Sequence, residues 1–158
     1  MFMRILDGYE LDKLVSQRLP RDCFGPDSDW PYLTLDLEKV AGDHAIWLKS
    51  LPCPVIGIGK GQLAKACDVL LDNSSQLSPI ARNIENAPLA SMVLVQHLRA
   101  SQTLAVEDAL TAESFAYATL QQGPEFQSWL EGREKKQSKI GVSNPVVITN
   151  DQQKLHIS

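Results

Sequence analysis

Val55-Ile-Gly-Ile58, entered through Pro52-Cys-Pro54, is apolar or small at every position. A strand with one face in water alternates polar and apolar residues, whereas a strand covered on both faces does not need to. This segment therefore predicts a strand sandwiched between two layers. Upstream, Tyr32-Leu-Thr-Leu-Asp-Leu37 alternates with period two and predicts a half-buried strand. Downstream, Ala66-Cys-Asp-Val-Leu-Leu71 is a third apolar run, ended by Asp72-Asn73. Between the first two runs, Asp43 is placed to cap a helix through Leu51 that carries Trp47 and Leu48 inward. Before them, Tyr9, Leu11, Leu14, Val15 and Leu19 recur at helical spacing from Asp7 to Leu19, and Pro20 stops the pattern. This succession predicts an α/β layer with some parallel pairing.

Beyond Ser74 the pattern turns to long helices. Ser74 or Ser75 can cap a segment carrying Leu77, Ile80, Ala81 and Ile84, and Asn86 and Pro88 suit the first turn of the next helix. In that next helix Leu89, Met92, Val93, Leu94, Val95 and Leu98 leave little polar face, so it is expected in the middle of the domain. Leu104 to Gln122 predicts another helix. After Gly123 a further one opens at Pro124, with Phe126, Trp129 and Leu130 on one stripe. Residues 1–136 thus form one domain, a β/α layer followed by a helical layer. The polar, basic stretch from Gly132 to Asn144 contains a linker, set at 137–144. Residues 145–158, with Pro145-Val-Val-Ile-Thr149 and Lys154-Leu-His-Ile-Ser158 as its two strands, read as a β-hairpin. An alternating strand at Ser158 leaves an unpaired backbone edge, which leads to the expectation that the functional unit extends further.

The chain has 158 residues, and its scaling of folded to unfolded surface implies that about 70% of that surface is buried, enough for a core without disulfides. Fifteen Lys and Arg against nineteen Asp and Glu give a net charge of −4, with the basic residues scattered, so nucleic acid is not an expected partner. Neither is a membrane, because no apolar stretch reaches the roughly 20 residues that cross a bilayer. Three cysteines (Cys23, Cys53, Cys67), odd in number and without C-x-x-C spacing, point to the reducing cytoplasm. His44, His97 and His156 stand far apart, and no metal site is expected.

Several segments resemble the crotonase superfamily, the enoyl-CoA hydratases and isomerases acting on acyl-CoA thioesters. The strand Cys67-Asp-Val-Leu-Leu71, the Ala87-Pro-Leu-Ala90 helix start and the Leu98-Arg99 ending carry part of the likeness. The rest lies in Ala109-Leu-Thr-Ala-Glu-Ser114, Pro124-Glu-Phe126 and Trp129-Leu-Glu-Gly-Arg133, which look like that family's later helices. The terminal hairpin looks instead like the opening of a crotonase catalytic domain, which implies that a catalytic domain begins near Pro145 and lies beyond this chain. The resemblance implies a shortened fold of the ClpP/crotonase type and, for the whole protein, an acyl-CoA substrate. The two backbone N–H loops that hold a thioester oxyanion in the family have no counterpart here. The loss of even one such donor typically costs ~2.7–4 kcal/mol, so the chain itself is expected to be inactive. A non-enzymatic interaction module with a degenerate crotonase fold is the alternative.

Gly57, Gly59, Lys60 and Gly61 make one Gly-rich segment at a strand end. Gly59-Lys-Gly-Gln-Leu-Ala64 fits G-x-G-x-x-A formally, but five residues before the next apolar run are too few for a crossover helix. A tight turn is the preferred reading, and a backbone nest with Lys60 beside a coenzyme A phosphate is the functional one. Glu107, Asp108 and Glu113 are the carboxylates best suited to acid or base work, although acids in a first helical turn mainly complement the dipole. Cys53 and Cys67 read as small core residues, and Trp47, Phe115, Phe126 and Trp129 as core or interface anchors. No catalytic residue and no cofactor is assigned, and a homo-oligomer is expected.

Overall fold

The computed structural model describes residues 4–133, 148–151 and 154–157. Among these the chain is α/β, with a four-stranded parallel sheet, six α-helices and a separate two-stranded hairpin. The strands β1 (Ile5–Leu6), β2 (Leu33–Asp36), β3 (Val55–Ile58) and β4 (Val69–Leu71) lie in sequential order and pair in parallel throughout. The two-residue β1, too short to show a period, escapes the sequence pattern. The remaining hairpin pairs β5 (Ile148–Asp151) with β6 (Lys154–Ile157) in antiparallel register, so Asn150 and Asp151 belong to the first strand rather than to the turn. The 137–144 linker lies outside the described residues.

Helix α1 (Gly8–Ser16) starts where it does because Asp7 and Glu10 cap it reciprocally. The Glu10 N–H donates to Asp7 Oδ1 at 2.9 Å, and the Asp7 N–H donates to Glu10 Oε2 at 3.2 Å. The Arg4 guanidinium beside Glu10 holds that carboxyl below its usual range, helped by the Asp7 N–H. Helix α2 (Ala45–Ser50) departs from expectation at its start: His44, not Asp43, occupies the cap, without a side-chain bond to the helix. The His44 ring turns away to meet Asp12 Oδ1 at 2.7 Å.

Both faces of the sheet are covered. On one, α1, α2 and the short turn Gln62–Ala66 enclose Leu11, Leu14, Leu33, Leu35, Leu48, Leu51, Cys53, Val55 and Leu63. On the other, α3 (Leu77–Asn86) lays Leu77, Ala81 and Ile84 over Tyr32, Ile56 and Leu71. The expectation for Val55–Ile58 therefore holds, while that of a half-buried strand at Tyr32–Leu37 does not. Thr34, on its polar phase, is only 1% exposed, because the second layer covers the face that alternation assigned to water. Its Oγ1 has no hydrogen-bond partner. The third apolar run is also shorter than its hydropathy implied: Gln62–Ala66 is a 3-10 turn, and the strand begins at Val69.

Three helices follow the β/α layer: α4 (Pro88–Ser101), α5 (Val106–Gln121) and α6 (Pro124–Glu131). Pro88 and Pro124 open α4 and α6, where a missing N–H is harmless. Helix α4 is not central as its composition suggested. Val95 is its one buried residue, while Leu94 and Leu98 are 55% and 54% exposed, because no described element packs on that side.

Candidate functional site

The carboxyl ends of parallel strands are where α/β folds usually bind ligands, at a point where the strand order reverses. Here the order runs β1-β2-β3-β4 without reversal. The Gly-rich segment lies at that edge, and its glycines have reasons in packing. A Cβ on Gly57 would come within 2.7 Å of Leu37 Cδ1 and 2.9 Å of Cys67 Sγ, and one on Gly61 would lie 2.1 Å from the Leu37 carbonyl oxygen. Gly59 adopts φ +80°, and the Glu38 side chain folds over it, its Oε1 3.2 Å from where a Cβ would stand. A carboxylate over the loop opposes a phosphate there, and Lys60 is exposed.

The other candidate residues do not converge. Glu107 and Asp108 sit exposed in the first turn of α5, where the helix dipole accounts for them, and Glu113 is exposed on the same helix. Burial pushes the Cys53 thiol up to about 12 and the Cys67 thiol to about 11, so neither is a nucleophile near neutral pH. His44 pairs with Asp12, and His97 lies on α4 near the Ser101 hydroxyl at 3.4 Å. Among the described residues no group of three His, Cys, Asp or Glu is placed to hold a metal ion.

What the structure does bring together is a latch between the two layers. Arg99, near the end of α4, donates from Nε to Asp68 Oδ1 at 2.8 Å and from a terminal nitrogen to Oδ2 at 2.5 Å. The same guanidinium reaches the carbonyls of Lys49, Leu51 and Cys53, in and after α2. The Val55 N–H donates to Asp68 at 2.8 Å, and Gln96 adds bonds to the Leu51 and Pro52 carbonyls. Such a planar, multidentate fan suits arginine and not lysine. The latch was readable in part: Asp68 interrupts an apolar run and Arg99 ends an apolar helix, and charges in such settings need partners.

Beyond the latch, the helical layer is held by small residues and a second carboxylate. Ala109, Ala112, Ala116 and Leu120 form the half-buried stripe of α5, and this helix and α6 contain no buried residue. Glu125 of α6 accepts from the Leu89 and Ala90 N–H groups at 2.7 and 2.9 Å, filling the cap that Ala87 cannot supply at the start of α4. The remaining faces are apolar and wet. Ten large apolar or aromatic side chains between Leu89 and Leu130 are exposed, among them Val106 at 71% and Phe115 at 70%. Phe126 is half-buried and stacks on Trp129 at 5.6 Å between ring centroids. Trp47 instead packs edge-on against Phe24 in the core, at 5.7 Å.

Where α4, α5 and α6 meet, an apolar cavity of about 270 Å³ is lined by residues including Leu89, Ala90, Tyr117, Leu120, Phe126 and Trp129. No helix of the described residues is long and apolar enough to cross a membrane. No family model, curated protein or solved structure matches the chain.

Proposed function

We propose that this chain is the non-catalytic N-terminal region of an enoyl-CoA hydratase/isomerase-like protein, and that its own task is assembly through its helical layer. One observation carries the assembly reading: α5 and α6 bury no residue, although they are rich in leucine and aromatic side chains. Ten exposed apolar side chains represent on the order of 1,000 Å² of surface, against roughly 800 Å² per partner in a stable dimer. Val106, Leu110 and Tyr117 recur on one face of α5 as an exposed apolar stripe of the kind a partner covers. A second copy of the chain is the partner this favours, because each copy brings the same unpartnered stripe to a shared interface.

The acyl-CoA part of the reading rests on the sequence resemblance alone. A coenzyme A thioester would then be bound and turned over by sequence outside this chain. Two measurements test the proposal. Purified residues 1–158 are expected to hydrate no crotonyl-CoA and to run as a dimer or larger by light scattering. Turnover by this chain refutes the non-catalytic assignment, and a monomeric mass at micromolar concentration refutes the assembly role. Sequence beyond Ser158 that contained an oxyanion loop would favour the enzyme context, and a stop codon would favour a free-standing interaction module.

A further inference from the structure

We infer that the cavity between α4, α5 and α6 is a binding site for an amphiphilic anion, a small molecule with an apolar body and one acidic head. The apolar half is the cavity walled by Leu89, Tyr117, Leu120, Phe126 and Trp129. At about 270 Å³ it approaches the ~300 Å³ at which small-molecule sites begin. It is also well above the ~150 Å³ apolar cavity that admits benzene.

The polar half adjoins it. A second cavity, of about 600 Å³, shares Ala87, Glu125 and Trp129 with the first and adds Asn83, Asn86, Ser128 and Arg133. Trp129 lines both, and the Arg133 guanidinium lies over its ring at 4.4 Å from the centroid. Stacking on an indole leaves the edge of a guanidinium, with its N–H donors, able to meet an acidic group. Glu125 lines both cavities and keeps its negative charge, but that carboxylate sits on the N-terminus of α4, where the Leu89 and Ala90 N–H groups and the positive end of the helix dipole offset it in part, leaving the Arg133 guanidinium as the cation open to a ligand. The arrangement is an apolar chamber with amide and hydroxyl groups and one cation at its mouth, which complements a carboxylate on an aliphatic or aryl body.

The test uses the full chain, titrated with decanoate and with decanol below their aggregation concentrations and followed at the Trp129 indole N–H by NMR. Decanoate is expected to shift that signal and to bind about tenfold more tightly than decanol. Arg133→Gln, at an exposed position that leaves the fold intact, is expected to abolish the difference while both ligands still bind. Ala90→Phe, which fills the chamber, is expected to weaken both. Equal affinity for the two ligands, or an acid preference that survives Arg133→Gln, overturns the head-group assignment. No response at Trp129 to either ligand overturns the site. The site shares Leu89, Tyr117 and Trp129 with the surface assigned to assembly, so the titration is run also on the Leu98→Glu, Val106→Glu variant: a monomeric variant that ignores decanoate sinks this inference alone, and a wild-type monomer that binds it sinks only assembly.

Discussion

Replacing Arg99 by methionine removes the guanidinium that ties the helical layer to the sheet while keeping most of the aliphatic stem. Asp68 would retain the Val55 N–H but lose its counter-charge, and the Leu51 and Cys53 carbonyls would each lose a donor. The two side chains are only 19% and 13% exposed, so water cannot take over without rearrangement. Breaking a buried pair by removing one member typically costs about 3–5 kcal/mol. The low end, about 3 kcal/mol, applies here because both groups keep some contact with solvent. For a chain of this size that corresponds to a fall in Tm of roughly 6–12 °C. Thermal and urea unfolding followed by circular dichroism measure it. Arg99→Met combined with Asp68→Leu is expected to recover part of the loss, because no unpaired charge remains. A single variant that costs less than about 1 kcal/mol would show that the pair is effectively solvated and that the latch does not hold the layers.

Thr34→Val removes a buried hydroxyl that has no partner and keeps the side chain's shape, so it is expected to raise stability by about 1 kcal/mol, read as an increase in Tm. Gly61→Ala should be severely destabilising, since its methyl would overlap the Leu37 carbonyl; a soluble variant with unchanged Tm would contradict that packing. Tyr32 is pushed up to about 12 by burial and by its bond to Glu85, and Cys53 is likewise raised to about 12 by burial. The unfolded chain loses these protons first, from about pH 9 for the thiol and about pH 10 for the phenol. The contribution of these two groups is therefore expected to be fully present below about pH 9 and to be lost between about pH 9 and 12, with Tyr32→Phe removing the tyrosine share of the decline.

The parallel sheet was legible because Val55–Ile58 needs cover on both sides, and the helix boundaries at Pro88 and Pro124 were legible because proline tolerates only the first turn. Thr34 misled because alternation reports residue type, whereas α3, arriving more than forty residues later, decides which face is dry. The same limit explains α4: an all-round apolar helix signals a need for burial, but the burial found among the described residues stops at Val95. Of the candidate residues, Gly57 lies inside β3, while Gly59, Lys60 and Gly61 follow its end. That the spacing of these glycines reflects close backbone contact could not be read from sequence, since Leu37, Glu38 and Cys67 approach them only in the folded chain. The Glu125 cap on α4 spans thirty-five residues and leaves no local signature.

Assembly through the helical layer is the claim on which most depends, and mass by light scattering with a paired interface variant tests it directly. The wild-type chain is expected to give a multiple of 17.5 kDa at micromolar concentration, and Leu98→Glu with Val106→Glu to give 17.5 kDa with unchanged secondary structure. A wild-type mass of 17.5 kDa, or a double variant that still assembles, would mean that these exposed leucine and valine faces do something other than hold copies together.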